Sequence, residues 1–124
     1  MAPGEPTVEA LRARMLNRRY YVMMRDPVAG RAIEPLMLDH YAWLIGLERR
    51  GLVFGSGPLA DCDGRPLGGM TIFRTDTAEE ADRLAAGDPF VRAGAMGYRL
   101  VSWTLAEGRV TVSVSFSDQS VQFA

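Results

Sequence analysis

The residues best suited to chemistry in this chain are one histidine and one distant aspartate. His40 is the only histidine, and Asp88 begins the segment Asp-Pro-Phe that follows Gly87. An imidazole titrates near neutral pH and therefore suits proton transfer. A carboxylate beside it orients the ring and stabilises its charged form. The two residue types together indicate general acid–base chemistry, provided that the fold brings them into contact.

Both residues also have a purely structural interpretation. On a helical wheel at ~100° per residue, His40 lies within an apolar arc between Leu44 and Leu47. Its ring nitrogens could therefore bond to backbone groups in the core. Asp88 directly precedes Pro89, which is the pattern of a helix N-cap with proline at the first helical position. The residues alone leave both interpretations open.

The elements that must position these residues follow the order strand, helix, strand, strand, helix, strand. Apolar runs bounded by turn residues predict the strands, and apolar positions at helical spacing predict the helices. The predicted strands are Tyr20–Asp26, Leu52–Leu59, Gly69–Thr75 and Tyr98–Leu105, and the predicted helices are Leu36–Arg50 and the segment from the Thr77 cap to Gly87. This order predicts an α+β fold, a ferredoxin-like split βαβ antiparallel sheet with two helices on one face.

Two extensions flank this pattern. A helix capped by Thr7 is predicted over Val8–Asn17, and the strict alternation of Val110–Phe116 predicts a half-buried strand. We therefore divide the chain into an N-terminal helical extension (1–19), a central domain (20–105) and a C-terminal strand extension (106–124). The central strands carry apolar residues at both odd and even positions, and therefore on both faces of the sheet. We expect the face away from the helices to pack against a second copy of the chain in a homodimer.

The composition narrows the function classes. All 14 basic residues are arginine, so lysine Schiff bases, pyridoxal phosphate enzymes and P-loop nucleotide sites are excluded. One histidine cannot supply a multi-histidine metal site, and no metal or other cofactor is predicted. The net charge of −1 argues against nucleic-acid binding, and no apolar run is long enough to span a membrane. The lone Cys62 and the lack of a secretory signal predict a cytoplasmic protein.

Four segments together resemble the YCII-related family of small bacterial proteins. These segments are YYVMMRD, DHYAWLIGLERRGLVFGSGPL, DGRPLGGMTIF and AEEADRLAAGDPFVRAG. The most specific parts are the histidine on an aromatic-rich helix, the Gly-Pro after the second strand, and Asp-Pro-Phe. The resemblance covers the chain from about Tyr20 to Trp103. It implies a ferredoxin-like fold assembled as a dimeric α+β barrel that binds a small molecule.

The resemblance also implies the roles of individual residues. His40 and Asp88 would meet in a pocket as a catalytic pair. Ser56 has glycine on both sides, which leaves room for its hydroxyl to donate into that pocket, and the other candidate substrate-binding residues are Gly57, Pro58 and Phe90. Members often carry an arginine three residues before the histidine, but this chain has Met37 there. A substrate anion held by that arginine would lose its partner.

The function implied by the resemblance is that of a cofactor-independent enzyme. One characterised branch of the family eliminates chloride from a chlorinated hydroxyhydroquinone. The histidine–aspartate pair would accordingly transfer a proton in the elimination or isomerisation of a small cyclic or aromatic substrate, as in a lyase or isomerase. The alternative is a non-catalytic dimer, either small-ligand-binding or accessory, in which the same pair has only a structural role.

Overall fold

The computed structural model describes residues 4–123 of the chain. In chain order the elements are α1 (Val8–Arg14), β1 (Arg18–Pro27), a short 3₁₀ helix (Glu34–Leu36), α2 (Met37–Arg49), β2 (Val53–Ala60), β3 (Pro66–Phe73), α3 (Ala78–Ala86), α4 (Pro89–Arg92), β4 (Met96–Leu105), β5 (Val112–Ser115) and β6 (Ser120–Phe123). The chain divides into two compact units, one spanning Arg19–Trp103 and the other formed by the segments before and after it. Within residues 4–123, no helix is long and apolar enough to cross a membrane.

The central unit contains a four-stranded antiparallel sheet. Its strand order is β2-β3-β1-β4, which places β1 and β3 in the middle and pairs them antiparallel. Strands β2 and β3 form a hairpin that pairs Ser56 with Thr71. This topology confirms the predicted α+β, ferredoxin-like fold.

One face of the sheet packs against the helices to form the core. The core consists of apolar side chains from β1, α2, β2, β3 and α3, namely Met23, Leu47, Val53, Phe73, Ala81 and Ala85. Burying such side chains contributes most of the favourable free energy of folding. Helix α2 ends as predicted, because Gly51 follows it with a φ of +76° that suits glycine. Helix α3 begins where Thr77 Oγ1 accepts the Glu80 N–H at 3.2 Å.

The register of β1 places an arginine on the helix-facing side of the sheet. Met23 is fully buried in the core, and Arg25 shares its face because side chains alternate along a strand. Arg25 lies opposite Gly69 in the pairing of β1 with β3. At the neighbouring Gly68 the backbone has a φ of +100°, and an added Cβ would overlap the carbonyl oxygen of Arg25. Gly68 thus allows β1 and β3 to approach closely beside the arginine.

The second unit differs from the prediction in two respects. Helix α1 ends at Arg14 rather than Asn17, because Asn17 adopts a positive φ of +53° and its amide donates to the Arg12 carbonyl. The alternating segment forms β5, which pairs with β6 as a two-stranded hairpin. The prediction of a half-buried strand is wrong within the described residues, since β5 is exposed on both faces. Alternation gives a strand two chemically different faces, but it does not provide a layer to cover one of them.

Candidate active site

Asp88 lies at the centre of a buried polar cluster. It is the N-cap of α4, and its Oδ1 accepts the Phe90 N–H at 3.0 Å. The same Oδ1 is 2.8 Å from Nδ1 of His40, and Oδ2 accepts from Nε of Arg25 at 2.6 Å. The side chain has no exposed surface. The cap predicted from the sequence is therefore present, and the carboxylate also contacts an imidazole and a guanidinium.

His40 is held in one orientation by contacts on several sides. It lies in the first turns of α2 and is 7% exposed. The Phe90 ring stacks on the imidazole with centroids 4.0 Å apart and an interplanar angle of 12°, while Trp43 lies 5.9 Å away. Because one ring nitrogen bonds to Asp88, the other, Nε2, is left to face a ligand.

Arg25 is a functional candidate that the sequence interpretation missed. Arg25 lies near the end of the predicted strand Tyr20–Asp26, in which no functional residue is assigned, and β1 runs from Arg18 to Pro27. Arg25 is only 3% exposed. The signal was available in the alternation of Tyr21 and Met23, whose parity Arg25 shares on the inward face. A charged residue at an inward position needs a buried partner, and here that partner is Asp88.

The contacts of Asp88 determine where the shared proton lies. Burial alone raises the pKa of the Asp88 carboxyl, but hydrogen bonds from His40 and Arg25, the Arg25 charge and the Phe90 amide together lower this pKa below 3.8. At neutral pH Asp88 is thus an ionised carboxylate, which only accepts hydrogen bonds. The proton in the bond to His40 is therefore on Nδ1. In the neutral ring, Nε2 carries the free lone pair of a base.

A cavity of about 270 Å³ lies beside this cluster. His40 and Arg25 line it, whereas Asp88 does not and acts behind His40. All four residues predicted to bind substrate also line it: Ser56, Gly57, Pro58 and Phe90. Met37 lines it as well, so the position three residues before His40 presents an apolar side chain to the cavity. The cationic group of this cavity is Arg25, which comes from the sheet.

The Ser56 hydroxyl is already bonded within the sheet. Its Oγ is 2.7 Å from Thr71 Oγ1 and donates to the Met70 carbonyl at 3.1 Å. A ligand group that accepts from Ser56 would have to replace one of these bonds. Ser56 is therefore placed at the cavity as predicted, but its hydroxyl is not free.

The other clusters and hollows of the described chain contain fewer groups suited to catalysis. Among residues 4–123, no group of three or more His, Cys, Asp or Glu side chains could hold a metal ion. A hollow of about 420 Å³ in the second unit is lined mostly by apolar groups of α1 and of the segment after β4. It contains neither His40 nor Arg25, so the candidate for acid–base chemistry is the smaller cavity in the central unit.

Comparison with known proteins shows the family and the fold of the chain. The model of the YCII-related domain matches residues 19–104, more than half of the chain. Among solved structures, the 5-chloro-2-hydroxyhydroquinone dehydrochlorinase of Burkholderia phenoliruptrix AC1100, in complex with 2,5-dihydroxybenzoquinone, is 22% identical. The match covers 68% of this chain and 92% of that chain, with a TM-score of 0.50, and at this identity it shows the fold alone. No curated protein matches the chain.

Proposed function

Because the chain belongs to the YCII-related family, we propose that it is a cofactor-independent enzyme in which His40 transfers a proton on a small cyclic substrate. The observation that carries this proposal is the hydrogen bond of 2.8 Å between His40 Nδ1 and Asp88 Oδ1 beside the cavity. That bond fixes the tautomer, orients the ring and leaves Nε2 as the base. Asp88 is a positioning residue in this scheme, since it reaches the substrate only through His40.

The size of the cavity supports a substrate with a single ring. Its volume is about 270 Å³, whereas a cavity of roughly 150 Å³ is known to accommodate benzene. A six-membered ring with two or three substituents fits such a space. The walls are largely apolar, with Leu44, Met96 and the stacked Phe90 among them, which suits a flat carbon ring. The reaction type is abstraction of a ring proton, followed by elimination or isomerisation.

Two reactions of single-ring compounds test the proposal. The first is isomerisation of 3-cyclohexenone to 2-cyclohexenone, in which a proton leaves one ring carbon and returns at another, and the conjugated product absorbs in the ultraviolet. The second is chloride release from 5-chloro-2-hydroxyhydroquinone, on which the dehydrochlorinase of similar fold acts. We expect the wild-type protein to accelerate at least one of them. Absence of both activities would contradict the proposal.

The variant His40→Asn isolates the role of the base. The asparagine Nδ2 occupies nearly the position of the imidazole Nδ1, so it can still donate to Asp88, but the side chain has no counterpart of Nε2. General base catalysis is typically worth about 10²–10⁴-fold. We therefore expect kcat to fall by that factor while the thermal midpoint changes little. An unchanged kcat would show that His40 is not the base.

A non-catalytic protein with a structural pair is the second candidate. It is favoured by the complete burial of Asp88 and by its simultaneous bonds to an arginine, a histidine and a backbone amide. In that case neither the wild-type protein nor His40→Asn would accelerate the two reactions, and His40→Ala would lower the unfolding free energy with no effect on ligand binding. The two candidates thus differ in whether replacing His40 abolishes turnover or only lowers stability.

We also propose that the chain forms a homodimer through the sheet face away from the helices. Large apolar side chains remain exposed there, including Phe54 (42%), Val101 (48%) and Trp103 (36%). A shallow hollow of about 330 Å³ on this face is lined by Val22, Ile72 and Val101 among others. Light scattering at micromolar concentration should give twice the mass of one chain, and a Val101→Glu variant should shift the mass to that of a monomer.

A further inference from the structure

Arg25 has bonding capacity that the fold does not use. A guanidinium carries five N–H donors and no acceptor, and its Nε donates to Asp88 Oδ2. Its Nη2 is buried and has no hydrogen-bond partner among residues 4–123. In a side-on ion pair, Nη2 would donate to Oδ1 of Asp88. That oxygen already accepts hydrogen bonds from the His40 ring and the Phe90 N–H. Native proteins rarely leave a buried donor unpaired, so this one suggests a missing partner.

Arg25 is one of the residues that line the cavity containing His40. Arg25 is 3% exposed and lines the cavity together with His40 and Ser56. Its Nη1 lies 3.8 Å from the point where a Cβ on Gly69 would sit. Since Gly69 has no side chain, Nη1 is not covered by a side chain from this position of β3. The bond from Nε to Asp88 meanwhile fixes its direction.

We infer that Arg25 donates a hydrogen bond to an oxygen of the substrate, and that the substrates are single-ring compounds bearing a carbonyl or an ionisable hydroxyl. The inference rests on the proposed function for the proton-transfer step, while binding of the oxygen rests on the geometry of Arg25. When His40 Nε2 takes a proton from the carbon beside a ring carbonyl, the C–H electron pair forms a C=C bond. The π pair of the carbonyl moves to its oxygen, and Arg25 donates to this oxyanion. No oxidant or other co-reactant is needed.

The local charges favour an anionic form of the ligand. Arg25 and Asp88 compensate each other, and Asp88 already accepts three hydrogen bonds. The Nη2 group of Arg25, which has no hydrogen-bond partner among residues 4–123, remains available to an added oxygen. Hydrogen bonds from a cationic donor to an anionic acceptor are about twice as strong as neutral ones. A ring with no oxygen at this point leaves the donor unpaired and is discriminated against.

The experiment compares 4-nitrophenol with nitrobenzene, which differ by one oxygen. At a pH where 4-nitrophenol is ionised, its phenolate absorbs visible light, so binding and ionisation are read in one titration. The protein variants are wild type, the pair Arg25→Met/Asp88→Asn, which removes both buried charges together, and Asp88→Asn alone. Arg74→Met is the matched control, since Arg74 lies over Phe54 and outside the cavity.

We expect the wild-type protein to bind the phenolate about 10- to 100-fold more tightly than nitrobenzene, the range expected for a hydrogen bond to a charged group. The double variant should lose that preference while its affinity for nitrobenzene stays within about 3-fold, a factor worth roughly 0.6 kcal/mol. Asp88→Asn should tighten phenolate binding, because Arg25 then has no compensating charge. Arg74→Met should match the wild type.

Three results would overturn the inference. They are equal binding of the two probes by wild type, no detectable binding of the phenolate, and an undiminished phenolate preference in the double variant. These results are separate from the test of the proposed function, which is turnover by His40. Phenolate preference without turnover would contradict the proposed enzymatic function and support oxygen binding by Arg25. Turnover without phenolate preference would support the enzymatic function and contradict oxygen binding by Arg25.

Discussion

Removing the charge of Asp88 should destabilise the protein strongly, although the side chain keeps its size. Asp88→Asn retains an oxygen for the Phe90 N–H, and asparagine caps helices about as well as aspartate. The variant therefore changes the charge opposite Arg25, not the cap of α4. Arg25 is 3% exposed and has no other carboxylate within ion-pair distance among the described residues. A buried cation would be left without its counter-charge.

The size of this effect follows from the burial of both partners. Breaking a buried ion pair by removing one partner costs about 3–5 kcal/mol, against a total stability of about 5–15 kcal/mol for a typical domain. Urea unfolding followed by the fluorescence of Trp43 and Trp103 measures it. With a slope of about 1–3 kcal/mol per molar urea, the midpoint should fall by at least about 1 M. Asp26→Asn is the matched control, because Asp26 is exposed and adjacent to Arg25.

The double variant Arg25→Met/Asp88→Asn decides whether charge is the cause. Replacing both members of a buried pair avoids the unpaired cation, so the double variant should be more stable than Asp88→Asn alone. The coupling between the two substitutions should be about 1–3 kcal/mol. A loss below about 1 kcal/mol in Asp88→Asn, or additive losses in the double variant, would refute the assignment of a stabilising pair.

Three further predictions concern single features. Because the pKa of Asp88 in the folded protein is depressed below 3.8, its contribution to stability is present above the unfolded-state pKa and is lost as the pH falls through the folded-state pKa. The urea midpoint should therefore drop in acid, and it should drop less steeply in Asp88→Asn. Parallel pH curves for the two proteins would contradict this. Gly68→Ala should cost more than about 1 kcal/mol, because the new Cβ would overlap the Arg25 carbonyl at a φ of +100°, and a wild-type thermal midpoint would count against it. Thr77→Ala should cost about 1 kcal/mol by loss of the bond from Glu80 N–H, whereas Thr77→Ser should restore the unfolding free energy.

Local rules in the sequence were sufficient for the elements that hold the site. The cap at Thr77, the glycine that ends α2 and the inward position of His40 all depend on residues close together in the chain, and the structure contains each of them. The Asp88 cap belongs to the same class. Side-chain periodicity and capping are local properties, so they can be determined without the tertiary fold.

The contacts between distant segments could not be derived in this way. His40 and Asp88 are 48 positions apart, and Arg25 and Asp88 are 63 apart. The meeting of His40 with Asp88 was expected only because the chain resembles a known family. Arg25 was overlooked because a charged residue near the end of a strand usually marks its exposed terminus. Its parity with Tyr21 and Met23 indicated the inward face, and the structure shows that it is buried there beside Asp88.

The C-terminal segment illustrates a different limit. Alternation over Val110–Phe116 correctly indicated extended structure, but the four residues of β5 are all exposed. Burial depends on a second layer, and the residues of one strand carry no information about it. Pairing with β6 aligns Val112 with Phe123 and Val114 with Val121. The hairpin thus has one apolar face, which the prediction of a single strand did not include.

The most direct test of the central claim is proton exchange at the carbon that His40 is proposed to attack. In D₂O, nuclear magnetic resonance can follow the loss of the ring proton of 3-cyclohexenone between its carbonyl and its double bond. With the bond from His40 to Asp88 in place, wild type should exchange this proton about 10²–10⁴-fold faster than His40→Asn. Equal exchange rates for the two folded proteins would contradict the account.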